Sequence, residues 1–251
     1  MSFGYQSSRL LNHIIFSSEE LEFLHNIGNS FSLSQLIKHP RWMEESAIDF
    51  VFTSSQIEGN TYTRADTISL LKLGKTAGDK RYSEAVMIMN LRAAYDYILH
   101  HSHKVLTHPL EECATYHSII MRGLLSDSNL GSSRQTAGIK IGGSEYQPLS
   151  GKKQLNREIS ILFSEMNKIH DTFDQSLYAA ANLAYLQYFE DGNKRTSRLF
   201  QNAILMAHNL PPVLFPVRMI QDYLEATLNY YEYGDYLLHR RFMMDAYGAV
   251  V

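Results

Sequence analysis

The sequence predicts a mainly helical, all-α protein with one short β-hairpin. Apolar residues recur at helical spacing along most of the 251 positions, and hydrophobic residues make up 45% of the chain, enough for a globular core. A single segment, Thr136 to Pro148, departs from that period.

The elements follow in order. Ser17 and Ser18 before Glu19-Glu20-Leu21-Glu22 make a capped helix start, with acids where the macrodipole favours them. Pro40 precedes a run from Trp42 to about Ile57, and Gly59-Asn60 stops it. Further helices cover Ala65 to Leu73 and Tyr82 to Leu99, the latter with a stripe of Ala85, Ile88, Met89, Leu91, Tyr95 and Ile98. Leu110 to Leu125, Asn156 to Ile169, Gln175 to Phe189, Asn193 to His208 and Met219 to Met244 complete the set. Between them, Ile139 and Ile141 alternate about a polar residue before Gly142-Gly143, which reads as a hairpin that must lie against the helices.

Composition narrows the function. The net charge of −3 gives no sequence-wide basic surface, so direct nucleic-acid binding is not expected. Cys113 is the only cysteine, which excludes an internal disulfide and a cysteine metal cluster and fits a reducing, cytoplasmic setting. The N-terminus, Met1 to Gln6, does not read as a signal peptide. The most apolar stretch, Leu199 to Leu214, holds Gln201, Asn202, His208 and Asn209 and reads as a buried helix, not as a membrane span. A homo-oligomer is left open.

The chemistry concentrates in Gln187-Tyr188-Phe189-Glu190-Asp191-Gly192-Asn193-Lys194-Arg195-Thr196-Ser197-Arg198, where two helical patterns meet. Gly192 lets the backbone turn tightly and approach a ligand. The helix that follows starts with unpaired N–H groups, an anion site by geometry. Arg195 and Arg198, three apart, are neighbours on its first turns, and guanidinium forks suit phosphate oxygens. Asp191 adds an oxygen ligand of the kind Mg²⁺ takes when it bridges phosphates. The plain alternative is a Gly-Asn helix cap with solvated arginines behind it.

This segment resembles the signature of the Fic family, His-x-Phe-x-Asp/Glu-Gly-Asn-Gly/Lys-Arg-x-x-Arg, which Phe189, Asp191, Gly192, Asn193, Lys194, Arg195 and Arg198 match at the right spacing. The segment with Ile139, Ile141, Gly142, Gly143, Tyr146 and Pro148, preceded by Gly131 and Arg134, resembles the family's flap. Ser54-Ser55-Gln56-Ile57-Glu58-Gly59-Asn60 resembles its inhibitory motif, Ser/Thr-x-x-x-Glu-Gly/Asn. The resemblance implies a Fic fold with an N-terminal inhibitory region (1–80), a core (81–215) holding a flap at about 136–149 and a nucleotide loop at 187–198, and a helical extension (216–251), all one compact unit. It also implies transfer of AMP from ATP, or a related use of another nucleotide, to a hydroxyl of a target protein that the flap aligns through Ile139, Ile141, Gly142 and Tyr146. Asp191 would hold Mg²⁺. Gly192, Asn193, Lys194, Arg195 and Arg198 would bind the nucleotide's phosphates, and Glu58, with Ser54 and Gly59, would occupy Arg198 and block the productive pose.

One position departs from the signature. Gln187 stands where the family has its His, the general base that takes the hydroxyl proton. A glutamine amide has no basic nitrogen near neutral pH. Among other histidines, His208 lies about 20 Å along the helix from Arg195, His170 falls at the far end of the preceding helix, and His117 and His239 cannot be placed. The late tyrosines Tyr223, Tyr230, Tyr231, Tyr233 and Tyr236 read as core and interface residues without assigned chemistry, and Arg240-Arg241 as a solvated helix end. Three functions fit: an adenylyltransferase impaired at Gln187, a nucleotide-binding or protein-interaction module, or another phosphate-transfer reaction. The first is favoured, as a nucleotide-binding Fic-type protein with weakened transfer.

Overall fold

A computed structural model describes residues 3–249. The chain opens with β1 (Phe3–Gly4) and a 3-10 turn at Ser7–Leu11, then runs through α1 (Ser18–Ser30), the single turn α2 (Leu33–Leu36), α3 (Pro40–Ile57), α4 (Arg64–Leu73), α5 (Tyr82–His101) and α6 (Pro109–Met121). After β2 (Tyr146–Gln147) come α7 (Lys152–Met166), α8 (Thr172–Leu186), α9 (Asn193–Ala207), α10 (Ile220–Tyr233) and α11 (Leu237–Gly248). No helix of the described residues is long and apolar enough to cross a membrane.

Local chemistry accounts for the boundaries. Ser17 and Glu20 close a reciprocal capping box at the start of α1, and Thr63 and Asp66 do the same for α4. Proline opens α3 and α6, where its missing N–H costs nothing. Antiparallel α8 and α9 form the centre of the molecule, and most of their residues are buried on every side. A helix surrounded in this way is held by its neighbours rather than by its own propensity. Helices α5, α6 and α7 pack against that pair, α10 packs against α8 and carries α11, and α3 packs on α5.

Two expectations are corrected. The run from Met219 to Met244 is two helices, because Gly234 (φ 71°) ends α10 in a left-handed turn. A Cβ there would sit 2.7 Å from the Arg9 guanidinium, whose Nη1 and Nη2 donate to the carbonyls of Tyr230, Tyr231 and Glu232. Arg240 consequently lies early in α11 and pairs with Glu20 of α1 at 3.0 Å, instead of ending a helix in solvent.

The second correction concerns the hairpin. The segment turns at Gly142-Gly143, with Ser144 N donating to Ile141 O at 3.3 Å, but its two arms form no ladder. The only sheet among the described residues pairs β1 with β2 in parallel, Phe3 opposite Tyr146 and Gly4 opposite Gln147. An isolated two-stranded ribbon is marginal in water. Here the flap is seated by other contacts: Ser144 Oγ and Glu145 N donate to Glu232 of α10 at 2.7 and 3.2 Å, and Arg134 grips its base.

Candidate functional site

Helix α8 ends at Gln187, which takes a left-handed conformation (φ 49°, ψ 51°) that a residue other than glycine rarely adopts. Asn193, the first residue of α9, closes the loop that follows. Its Oδ1 accepts from Phe189 N at 2.8 Å, and its Nδ2 donates to Phe189 O at 2.9 Å and to Gln187 Oε1 at 3.2 Å. Arg134 holds the loop from the other side, donating from Nε to Gln187 O at 2.6 Å, while its own N–H reaches Tyr188 O.

His117 supports the loop from below. Its ring lies parallel to Phe189, centroids 3.9 Å apart. Nδ1 accepts from Gly131 N at 2.9 Å, so Nε2 carries the proton and donates to Asp191 O at 3.1 Å. Burial drives its pKa down to about 4, against the opposing hydrogen bond to Asp191, and the ring is neutral. With both nitrogens engaged, it is a structural member of the loop and not a substitute base. His239, also buried and lowered to about 4, packs beside Tyr230.

Gly192 makes the entry into α9 at φ 75°, and a Cβ there would meet Met121 Sδ at 2.8 Å. No side chain caps α9, which leaves its N-terminal dipole available to an anion. Asp191 accepts from Gly192 N through Oδ1 (2.6 Å) and from Arg195 Nη2 through Oδ2 (2.9 Å).

Arg195 and Arg198 are buried, at 3% and 4% exposure, and are not solvated behind a helix cap. Arg195 Nε and Nη1 are enclosed with no hydrogen-bond partner among the described residues. The nearest acid, Glu58 Oε2, is 3.9 Å from Nε, close enough for attraction but too far for a hydrogen bond. Arg198 is fully engaged: Nη2 donates to Glu58 Oε1 at 3.0 Å, Nε to Ser54 Oγ at 3.3 Å, and Nη1 to Tyr223 Oη at 3.1 Å. Burial opposes the charge on Glu58, but Arg198, Lys194 and Arg195 together outweigh it and hold its carboxyl below the usual range.

A cleft of about 670 Å³, within the usual range for a small-molecule site, opens above this arrangement. The expected site residues Glu58, Gln187, Asp191, Gly192, Asn193 and Lys194 line it, with Ile139, Ile141 and Gly142 of the flap facing them. Arg195 and Arg198 lie behind Glu58 and do not line it. Ser54 stands with Arg198, and Gly59 (φ 81°) turns the chain just after Glu58. Tyr146 is outside the cleft: it is 2% exposed, donates to Tyr185 O at 2.7 Å and stacks on the Tyr185 ring, which makes it a core residue under the flap. Tyr223 and Tyr231, given no chemistry from the sequence, contact Arg198 and Gln187. Their positions eight apart put both on one face of α10, yet that spacing is the same for a packed core and for a cleft wall.

Asp191 suits Mg²⁺ only in part. Its carboxylate is 59% exposed and keeps lone pairs free, but the described residues contain no cluster of three or more acidic, His or Cys side chains. That donor set fits a Mg²⁺ completed by phosphate oxygens and water, not a protein cage.

The helical scaffold thus presents an uncapped helix start, a tight Gly-Asn turn and two buried guanidiniums at one place. Residues 97–205 match the model of the Fic/DOC family, and the chain carries a Fic domain. Its relatives include the protein adenylyltransferase fic-1 of Caenorhabditis briggsae, 26% identical over 223 residues, 86% of this chain and 43% of that one. The protein adenylyltransferase Fic of Drosophila grimshawi is 29% identical over 185 residues, 73% of this chain and 38% of that one. The chain thus spans less than half the length of these curated relatives. The fold is similar to that of a Fic-1 fragment from C. elegans (TM-score 0.75, 22% identity, covering 92% of this chain and 69% of that one). It is also similar to a Fic domain containing signaling protein from Bacteroides thetaiotaomicron (TM-score 0.70, 17% identity, covering 91% and 94%).

Proposed function

We propose that this protein binds ATP, or a closely related nucleotide, at the 187–198 loop, that Glu58 holds the site closed, and that AMP transfer to a target-protein hydroxyl is impaired by Gln187. The observation that carries this reading is the Glu58 carboxylate resting on Arg198 at the uncapped start of α9, where it stands in for a phosphate oxygen. The names of the relatives support ATP as the nucleotide and AMP as the transferred group.

When Glu58 withdraws, the unpaired Nε and Nη1 of Arg195 and the freed Nη2 of Arg198 gain phosphate oxygens as partners, and Lys194 adds charge at the mouth. The backbone N–H groups of the first turn of α9 add to this grip. Mg²⁺, held by Asp191 together with phosphate oxygens, would neutralise charge on the departing diphosphate. The flap residues Ile139, Ile141 and Gly142 would hold a segment of the target protein over the cleft.

In a transfer reaction the target hydroxyl attacks the α-phosphorus, its proton must leave, and pyrophosphate departs. Gln187 cannot take that proton, because an amide has no basic nitrogen near neutral pH. Losing a general base lowers the rate by roughly 10² to 10⁴, about 3 to 5 kcal/mol of barrier.

The test compares the parent, Glu58→Gly, and Glu58→Gly with Gln187→His, each with labelled ATP and Mg²⁺. Label is expected on protein only with the restored histidine. Labelling by Glu58→Gly alone would contradict the impairment, and absence of ATP binding by all three would refute the nucleotide reading.

A further inference from the structure

Both the nitrogen and the oxygen of the Gln187 amide already have partners inside the protein. Its Nε2 donates to Ala184 O at 2.7 Å and toward Tyr231 Oη at 3.3 Å, while its Oε1 accepts from Asn193 at 3.2 Å. This orientation is chemically required. Turning the amide over would set its oxygen against the Ala184 carbonyl oxygen and its NH₂ against the Asn193 NH₂. Asn193 cannot turn to compensate, since the N–H and C=O of Phe189 hold both ends of its amide.

The Tyr231 oxygen therefore receives an N–H, and the proton of the phenol must go elsewhere. No acceptor among the described residues takes it, although Tyr231 is 1% exposed and lines the cleft. A hydroxyl that accepts one hydrogen bond is a stronger donor in the next. Burial also raises its pKa, which keeps the phenol protonated and able to donate.

Resting on the nucleotide reading, we propose that Tyr231 is a ligand-contacting donor whose O–H meets a phosphoryl oxygen of the bound nucleotide, and that Gln187 is the residue that positions it. The place where a transferase needs a proton acceptor is then occupied by a proton donor. Such a site recognises an anion and does not deprotonate a hydroxyl.

The test is calorimetric titration of ATP and of inorganic tripolyphosphate into Glu58→Gly and into Glu58→Gly with Tyr231→Phe. Loss of one hydrogen bond to a charged group should weaken both ligands about ten- to a hundredfold. An ATP affinity within about twofold of the parent, or a loss seen with ATP but not with tripolyphosphate, overturns the assignment. Failure of Glu58→Gly itself to bind either ligand is a different result and removes the nucleotide reading together with this one. Should Tyr231→Phe fail to fold, 3-fluorotyrosine at position 231 keeps the shape while strengthening the donor; tighter binding is expected, and weaker binding overturns the proposal. The positioning role is read from Gln187→Met, in whose background Tyr231→Phe should cost less than in the parent, and strictly additive costs refute it.

Discussion

Glu58 and Arg198 stand 140 positions apart in the chain and 3.0 Å apart in the fold, with Glu58 Oε1 accepting from Arg198 Nη2. The pair joins the end of α3 to the first turns of α9 in a setting where both side chains have left water. Attraction and desolvation nearly cancel for an intact pair of this kind, but removing one partner leaves a buried charge without compensation. The pair therefore adds little net stability while intact and is costly to break.

Glu58→Gly should lower the stability of the ligand-free protein by about 3 to 5 kcal/mol, the usual cost of leaving one buried charge unpaired. Added ATP or inorganic phosphate should recover part of that loss by binding the folded state. Thermal melts with and without these anions measure both effects. An unchanged melting temperature that no anion moves would mean that the ion pair is incidental.

The same pair sets a pH dependence. Glu58 titrates lower in the folded protein than the 4.5 of an ordinary glutamate. A depressed carboxyl contributes stability above its unfolded pKa and loses it as pH falls through the folded value. The stability difference between the parent and Glu58→Gln should thus stay level from about pH 7 down to the unfolded value, then shrink. Denaturant melts over that range would refute this if the difference grew on acidification.

His117 should remain neutral throughout the physiological range. Its pKa is lowered from 6.5 to about 4 by burial, so below 6.5 the unfolded chain takes up a proton that the folded one refuses, and stability falls as pH drops toward 4. A histidine-ring NMR titration should show no inflection for His117 near 6.5. An inflection there would contradict the tautomer that links Gly131 to Asp191.

Gly192→Ala should disable the anion grip. The backbone conformation alone costs an L-residue about 1 to 2 kcal/mol, and the new methyl group would collide with Met121 Sδ. Phosphate and ATP affinity should fall even in the Glu58→Gly background, read by titration calorimetry. Unimpaired binding would show that the turn tolerates a side chain.

Arg9→Ala should loosen the C-terminal end of α10, losing about 1.5 to 3 kcal/mol with its charged hydrogen bonds. Faster hydrogen exchange is expected at the end of α10 and also at Ser144 and Glu145, which hang on Glu232. Exchange changing only near the N-terminus would refute that linkage.

The sequence by itself determined much of the protein. The helical period, the capping residue Ser17, the stop at Gly59 and the composition of the 187–198 loop are local properties, governed by backbone sterics and hydrogen bonds between near neighbours. The amide at position 187 could be read directly, since an amide has no basic nitrogen near neutral pH in any fold. Other features required tertiary contacts. Gly234 breaks the last helical run where the carbonyls of α10 meet an arginine from the far end of the chain, and the two arms of the flap stay unpaired with each other while β1, Glu232 and Arg134 hold the segment. The burial of Arg195 and Arg198 and the approach of Tyr223 and Tyr231 to them and to Gln187 were decided in the same way. Each depends on which groups long-range packing brings within about 3 Å of one another and removes from water. Spacing along the chain fixes which face a side chain occupies, and only the packed fold decides what lies opposite it.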